Sequence, residues 1–165
     1  MKNIIQHVEK KIYSLEKLKP TLLMWRNDQN NIIFTNGCFD LIHFGHIKCL
    51  IDAKSFGGKL VVGLNSDISI KNIKGNNRPL KDQKTRSFIL ASMEFIDAII
   101  IFDTITPKNL IKEIKPDILI KGGDYKNKKI IGSDIVKEYG GITRTVSYVN
   151  DQSSSTLINK ISISD

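Results

Sequence analysis

The first thirty residues carry apolar side chains at helical spacing. Between residues 2 and 18 the apolar positions recur at steps of three and four, which predicts an amphipathic helix over that range. These positions are Ile5, Val8, Ile12, Leu15 and Leu18. Pro20 is expected to begin a second short helix that runs to Trp25, before the polar run 27–31. We therefore predict an N-terminal helical extension, residues 1–30, packed on a main domain of residues 31–165.

Beyond residue 31 the pattern changes to short apolar runs separated by helical stretches. The predicted strands cover residues 31–35, 59–64, 98–102, 117–121 and 141–146, and the predicted helices cover 44–55, 82–93, 107–114, 132–139 and 155–161. Runs such as LVVGL are apolar at successive positions, as in strands buried on both faces. The alternation predicts an α/β fold, a doubly wound parallel five-stranded sheet of Rossmann-like type. In such sheets ligands bind beyond the carboxyl ends of the strands.

Composition adds limits to this picture. The 165 residues suit one hydrophobic core, with 41% hydrophobic and 25% charged residues. No apolar run approaches the roughly 20 residues of a membrane span, and the N-terminus lacks a signal-peptide core, so a cytoplasmic protein without membrane partners is expected. Cys38 and Cys49 lack the spacing of a zinc site, and we expect both to be buried thiols without a metal.

The net charge of +8 is compatible with nucleic acid or with small polyanions as partners. Lysine supplies 21 of the 25 positive charges, and the lysines are scattered without interleaved aromatic residues. This distribution favours a solvated surface over a nucleic-acid interface. A substrate that carries phosphate would still be attracted.

The first predicted strand leads into a loop with two histidines. His43 and His46 stand three residues apart where a helix begins, and Gly45 between them removes a side chain. The free amides and dipole of a helix N-terminus favour an anion. A single histidine here would more often cap the turn or fill the interior. Together, the two histidines and the glycine predict a phosphate cradle.

The stretch GCFDLIHFGH, residues 37–46, resembles the signature of the HxGH nucleotidylyltransferase superfamily. Residues 32–161 resemble the bacterial D-glycero-β-D-manno-heptose 1-phosphate adenylyltransferases, here without the sugar kinase that some of those proteins carry. Further blocks are similar to the same family: NSD at 65–67, KGNNRP at 74–79, KGGDY at 121–125 and SST at 154–156. Two departures are Ser155 for the first threonine of the last block and Gln152-Ser153 for a glycine-containing pair.

The resemblance implies roles for individual residues. The implied catalytic residues are His43, His46 and Lys48. The implied nucleotide-binding residues are Thr35, Asn36, Gly37, Cys38, Phe39, Gly45, Asn65, Lys121, Gly123, Asp124, Tyr125, Ser154, Ser155 and Thr156. The implied substrate and phosphate contacts are Asp40, Asp67, Lys74, Arg78 and Arg86, with Asn36 and Phe39 also expected near the acceptor. Asp40 has two open roles, as a contact to the metal or as an anchor for the loop.

The expected reaction is transfer of AMP from ATP to a sugar 1-phosphate, with an in-line attack on the α-phosphorus and release of pyrophosphate. His46 is expected at the α-phosphate, His43 at the α/β bridge and Lys48 at the developing charge, and an imidazole beside that charge is expected to be protonated more often than in water. Mg²⁺ is expected to arrive with ATP, because it prefers few protein ligands and many phosphate and water oxygens. The resemblance also implies a homodimer and a role in lipopolysaccharide-core synthesis.

Two alternatives remain, and a third is disfavoured. A cytidylyltransferase acting on glycerol 3-phosphate would share the histidines, and KGGDY is the feature that separates the two. A nucleotide-binding module without catalysis would bind ATP and not consume it. A class I aminoacyl-tRNA synthetase also has an HxGH motif, but 165 residues leave no room for an anticodon-binding part.

Overall fold

The computed structural model describes residues 2–123 and 130–146. In chain order the elements are α1 (Lys2–Glu9), β1 (Ile12–Tyr13), α2 (Leu15–Asn27), β2 (Ile32–Gly37), α3 (Phe44–Lys54), β3 (Lys59–Asn65), α4 (Asp67–Lys74), α5 (Gln83–Ala91), β4 (Ala98–Phe102), α6 (Lys108–Ile114), β5 (Ile118–Gly122), α7 (Ser133–Glu138) and β6 (Ile142–Val146). The helix predicted over 155–161 lies outside the described residues.

The strands form one sheet in the order β1-β4-β3-β2-β5-β6, and each neighbouring pair is parallel. The doubly wound α/β fold is therefore confirmed. The prediction of five strands was one short, because β1 adds a sixth at the edge through Ile12 opposite Ile99 and Tyr13 opposite Ile100. A β-branched and an aromatic residue suit that pairing, and their amphipathic spacing had concealed it.

The N-terminal helices differ from the prediction. The helix predicted over 2–18 ends at Glu9, and the second helix begins at Leu15 instead of Pro20. Ser14 caps α2, since its side chain accepts a hydrogen bond from the amide of Lys17 at 3.4 Å. The helix then passes through Pro20, which lacks only the amide donor of one turn. Helix α4 was not predicted.

Alternate residues of β2, β3, β4 and β5 enter two separate cores, one on each face of the sheet. Helices α2, α6 and α7 cover one face, and α3 and α5 cover the other. In β2, Ile32 and Phe34 belong to the first core and Ile33 to the second. Because α2 contributes Leu18 and Leu22 to the first core, the N-terminal segment is part of the same packing unit. No helix in the described ranges is long and apolar enough to cross a bilayer.

The central strand β2 lies between β3 and β5, where the chain order of the sheet reverses. Its pairing with β3 continues to Gly37 opposite Leu64, whereas its pairing with β5 stops at Phe34 opposite Leu119. The carboxyl ends of β2 and β5 therefore lack backbone pairing with each other. This is the point at which a doubly wound sheet forms its ligand crevice.

Candidate active site

The loop that follows β2 is held in one shape by a buried aromatic ring. Phe39 has a φ of +45° and is buried, and its ring folds back over Gly37. A Cβ atom at Gly37 would lie 3.0 Å from Cε2 of Phe39, so glycine is the residue that leaves room for the ring. The same ring contacts His46, with 5.1 Å between centroids. The buried phenyl ring therefore fixes both the loop and one imidazole.

The two imidazoles stand together at the start of α3. His43 is the N-cap residue of α3, and its carbonyl accepts hydrogen bonds from the amides of His46 (2.9 Å) and Ile47 (3.3 Å). The His43 side chain makes no capping bond. The ring centroids of His43 and His46 lie 3.8 Å apart. The sequence placed these rings on one face of the helix, and the structure brings them into direct contact.

Burial favours the neutral form of both imidazoles. It lowers the pKa of His46 to about 4, and the charges of His43 and Lys74 act in the same direction while the backbone of Leu41 opposes them. Burial also lowers the pKa of His43. The expectation that phosphate charge favours the protonated imidazole opposes this effect of burial, and it stays a prediction. Nδ1 of His43 is buried without a hydrogen-bond partner among the described residues.

Lysine side chains reach this region from two helices. Lys48, one turn along α3, forms an ion pair with Asp52 at 2.7 Å. Sequence reasoning named Lys48 and missed Asp52, although the four-residue spacing of a lysine and an aspartate on a helix is the signal for such a pair. Lys74 ends α4 and lies close enough to His46 for its charge to act on the ring. Contacts of Lys48 and Lys74 with phosphate stay predictions.

Asp40 anchors a neighbouring loop. Its side chain is buried, and Oδ2 accepts from Nε of Arg78 at 2.6 Å while Oδ1 accepts from the amides of Leu80 (2.8 Å) and Lys81 (3.1 Å). Both carboxylate oxygens are thus used within the protein. Of the two roles open to Asp40, the structure favours the anchor, and direct contacts of Asp40 and Arg78 with substrate stay predictions.

Arg86 lies beneath the site and ties several loops together. It is fully buried, and its guanidinium donates to the carbonyls of Lys81 (2.9 Å), Cys38 (2.6 Å) and Asn65 (2.9 Å). It also pairs with the carboxylate of Asp67 at 2.7 Å. The predicted substrate contacts Arg86 and Asp67 therefore bind each other. This buried position favours a supporting role for Arg86, and its contact with substrate stays a prediction.

The carboxyl end of β5 faces that of β2 through Lys121. Its ammonium donates to the side-chain oxygen of Asn36 at 2.5 Å and lies 3.5 Å from the Asn36 carbonyl. Burial lowers the pKa of Lys121 to about 8. The next residue, Gly122, packs on α3, where a Cβ atom would lie 2.7 Å from Sγ of Cys49. Cys38 and Cys49 are free thiols, and both are partly exposed instead of fully buried as expected.

The remaining predicted residues divide into two groups. Thr35 and Asn65 are buried at the ends of β2 and β3, and Nδ2 of Asn65 donates to Oγ of Ser69 at 2.9 Å. Gly45 lies in the first turn of α3, and Gly123 follows β5 with a φ of +117°. The second group lies outside the described residues and consists of Asp124, Tyr125, Ser154, Ser155 and Thr156. Within the described ranges, no group of three or more His, Cys, Asp or Glu side chains could hold a metal ion.

Comparisons with known proteins show which sequences this chain resembles. The sequence profile described as cytidylyltransferase-like matches residues 34–161. The chain is 49% identical over 153 residues to the bifunctional protein HldE of Campylobacter fetus subsp. fetus, which covers 93% of this chain and 32% of that protein. HldE of Helicobacter pylori (strain ATCC 700392 / 26695) is also 49% identical, over 96% of this chain and 32% of its own length. The chain thus spans about a third of the length of these curated relatives.

Two solved structures share the fold. The lipopolysaccharide core biosynthesis protein from Thermoplasma volcanium GSS1 superposes with a TM-score of 0.59 at 25% identity, covering 74% of this chain and 99% of that one. Pantoate-beta-alanine ligase from Francisella tularensis has a TM-score of 0.60 at 18% identity and covers 87% of this chain and 68% of that one. The second likeness concerns the fold alone.

Proposed function

This chain belongs to the cytidylyltransferase-like family, which makes it a nucleotidyltransferase, and we propose that it transfers AMP from ATP to a sugar 1-phosphate with release of pyrophosphate. The observation that carries the proposal is the contact between the imidazoles of His43 and His46, whose centroids lie 3.8 Å apart. This contact lies at the start of α3, the helix that follows β2. Two neutral imidazoles at a helix N-terminus suit an incoming triphosphate.

The protein's task in this reaction is placement and charge stabilisation. The acceptor phosphate is already ionised at neutral pH, so its oxygen attacks the α-phosphorus without an enzyme nucleophile. The P–O bond to the β-phosphate breaks, and pyrophosphate leaves with the bonding electrons. His46 is assigned to the α-phosphate and His43 to the α/β bridge, where negative charge develops. Loss of one such donor costs about 3–4 kcal/mol of transition-state stabilisation.

The proposed acceptor is D-glycero-β-D-manno-heptose 1-phosphate, which would place the reaction in the synthesis of a lipopolysaccharide core. Support comes from the KGGDY block that begins at Lys121 and from the lipopolysaccharide core protein among the similar structures. The family description leaves the base of the nucleotide open, so ATP is proposed on the resemblance of residues 121–125. A cytoplasmic location is proposed with it, as the compartment in which ATP is available.

Mg²⁺ is proposed to enter with ATP. Both oxygens of Asp40 are already bonded to Arg78 and to backbone amides, which supports an ion held mainly by the phosphates. Magnesium needs few protein ligands when phosphate and water oxygens complete its octahedron. When bound, the ion would offset charge on the triphosphate. The described side chains would act on the phosphates themselves.

A homodimer is proposed as the solution form. Large apolar residues on the N-terminal helices are exposed, including Ile4 at 72% and Leu23 at 61%. Such side chains favour contact with another protein surface. Analytical ultracentrifugation of the full chain is expected to give a mass near twice 18.6 kDa. A single species at the monomer mass would contradict the dimer.

Pyrophosphate release tests the proposed reaction. The purified protein is incubated with Mg²⁺, a panel of sugar 1-phosphates and either ATP or CTP, and a second panel contains glycerol 3-phosphate. We expect turnover with ATP and the heptose 1-phosphate. The His46→Ala variant is expected to lose on the order of 10² to 10³ in kcat while keeping its fold. Preference for CTP with glycerol 3-phosphate would refute the assignment, and binding of ATP without turnover would indicate a non-catalytic module.

A further inference from the structure

Lys121 and Asn36 meet where the sheet opens. Backbone pairing between β2 and β5 ends at Phe34 opposite Leu119, and the same register carried two residues further places Asn36 opposite Lys121. The hydrogen bond between these side chains therefore bridges the crevice at the second residue level beyond the last backbone pair. Tight packing of Gly122 on Cys49 holds the end of β5 against α3, which keeps Lys121 in reach of β2.

The chemistry of the pair fixes the orientation of the Asn36 amide. A lysine ammonium has three donors and no acceptor, so the group that faces it must be the amide oxygen. Oδ1 of Asn36 lies 2.5 Å from Nζ. The NH₂ group of the same amide then faces away from Lys121, and Asn36 is partly exposed at the crevice. Both N–H donors of the Asn36 amide are thus left for a partner other than Lys121.

We infer that Lys121 is a positioning residue, which holds the amide oxygen of Asn36 and so presents the Asn36 NH₂ group to a phosphate oxygen of the bound substrates. The inference rests on the proposed function and deepens it. Neutral amide donors aimed at an anion stabilise charge without a rearrangement at the moment of reaction. The phosphate belongs either to ATP or to the sugar 1-phosphate, and the Michaelis constants of the two substrates separate these sources.

The protonation of Lys121 gives the arrangement a pH dependence. Burial lowers the pKa of Lys121 to about 8, and the titratable groups that act on it among the described residues are Cys49 of α3 and Cys38 of the loop after β2. Once Lys121 is deprotonated, its amine has a lone pair and can also accept a hydrogen bond, so the oxygen of the Asn36 amide no longer has to face it. The amide is then free to turn, and its donors leave the crevice.

Four variants, namely Asn36→Asp, Asn36→Ala, Lys121→Met and the double variant Lys121→Met/Asn36→Ala, test the inference by kcat/KM, by the separate KM values and by thermal unfolding. Asn36→Asp keeps an oxygen for Lys121 and removes both N–H donors. Lys121→Met keeps the length of the side chain and removes the charge. The double variant Lys121→Met/Asn36→Ala is compared with its two single variants. If the hydrogen bond only links the two strands, Asn36→Asp is expected to leave kcat/KM unchanged. If Lys121 positions the amide, Asn36→Asp is expected to lower kcat/KM by about 100-fold at an unchanged melting temperature.

The double variant separates positioning from direct contact. If Lys121 acts through Asn36, Lys121→Met is expected to cost little in the Asn36→Ala background. The wild-type fall in kcat/KM above about pH 8 is expected to be absent from Lys121→Met. Full activity of Asn36→Asp, or an undiminished cost of Lys121→Met beside Asn36→Ala, would overturn the inference.

A binding measurement keeps this outcome distinct from failure of the proposed function. Calorimetry with α,β-methylene ATP and with the heptose 1-phosphate needs no turnover. If the wild type binds these ligands without any transfer, the proposed function fails. Weaker binding of one ligand by Asn36→Asp would then still support the inference, and equal binding of both ligands by wild type and variant would refute it.

Discussion

Replacement of Arg86 by methionine is predicted to destabilise the protein strongly. The guanidinium is fully buried and donates to three backbone carbonyls and to Asp67, at 2.6 to 2.9 Å. Methionine fills much of the same space and satisfies none of these acceptors. Removal of one partner from a buried charge network costs about 3–5 kcal/mol. That is a large part of the roughly 5–15 kcal/mol by which a native protein is stable.

The cost translates into a measurable shift in melting temperature. For a chain of this size, 1 kcal/mol corresponds to about 2–4 °C, so Arg86→Met is expected to lower the midpoint by roughly 6–20 °C. Circular dichroism at 222 nm, followed on heating, measures this shift. Lys84→Met on the same helix is the matched control, because Lys84 is exposed, and its midpoint is expected to stay within about 2 °C of wild type.

The result that would refute the reasoning is a folded Arg86→Met protein with the melting temperature of Lys84→Met. Such a result would show that Arg86 is not the support of the loops. If Arg86→Met also raised the KM for ATP, the two results together would support the direct phosphate contact that the resemblance implies for Arg86.

Three further variants test other parts of the site. Gly122→Ala places a Cβ atom 2.7 Å from Sγ of Cys49, so we expect the free energy of unfolding in urea to fall by about 1–3 kcal/mol. The smaller side chain of Cys49→Ala is expected to relieve this loss in the double variant. Additive effects of the two substitutions would contradict this packing. Asp40→Asn removes the charge paired with Arg78 and is expected to cost about 3 kcal/mol in the same assay, whereas an unchanged midpoint would contradict the anchor. The pKa of His46 falls from an ordinary 6.5 to about 4 on folding, so between those values the unfolded state binds more protons and stability falls as the pH falls. Urea unfolding from pH 7 to pH 4 is expected to show this loss, on the order of 1–3 kcal/mol, and His46→Gln is expected to reduce it; an equal slope in both proteins would contradict the burial of His46.

The sequence predicted the elements whose side chains repeat regularly. Strands β3 and β4 are apolar at successive positions because both of their faces are buried. The run of apolar residues was therefore enough to predict these two strands. Strand β1 could not be predicted, since Ile12 has the spacing of a helical stripe and pairs with Ile99 only through tertiary contact. Local propensity carries no information about a free sheet edge.

The site shows the same division. The contact of His43 with His46 follows from their spacing on one helix and could be predicted from the motif. The partners of Asp40 and Arg86 could not, because most of them lie 19 to 48 residues away in sequence. A charged residue in a phosphate-binding motif suggests a ligand contact, and only the fold reveals that the charge is already bonded within the protein.

The most direct test of the imidazole pair is a crystal structure of the protein with α,β-methylene ATP and Mg²⁺. We predict that oxygens of the α-phosphate and of the α/β bridge lie within hydrogen-bond distance, about 3 Å, of the rings of His46 and His43. A triphosphate bound elsewhere on the protein, with both rings out of its reach, would contradict the proposed enzyme.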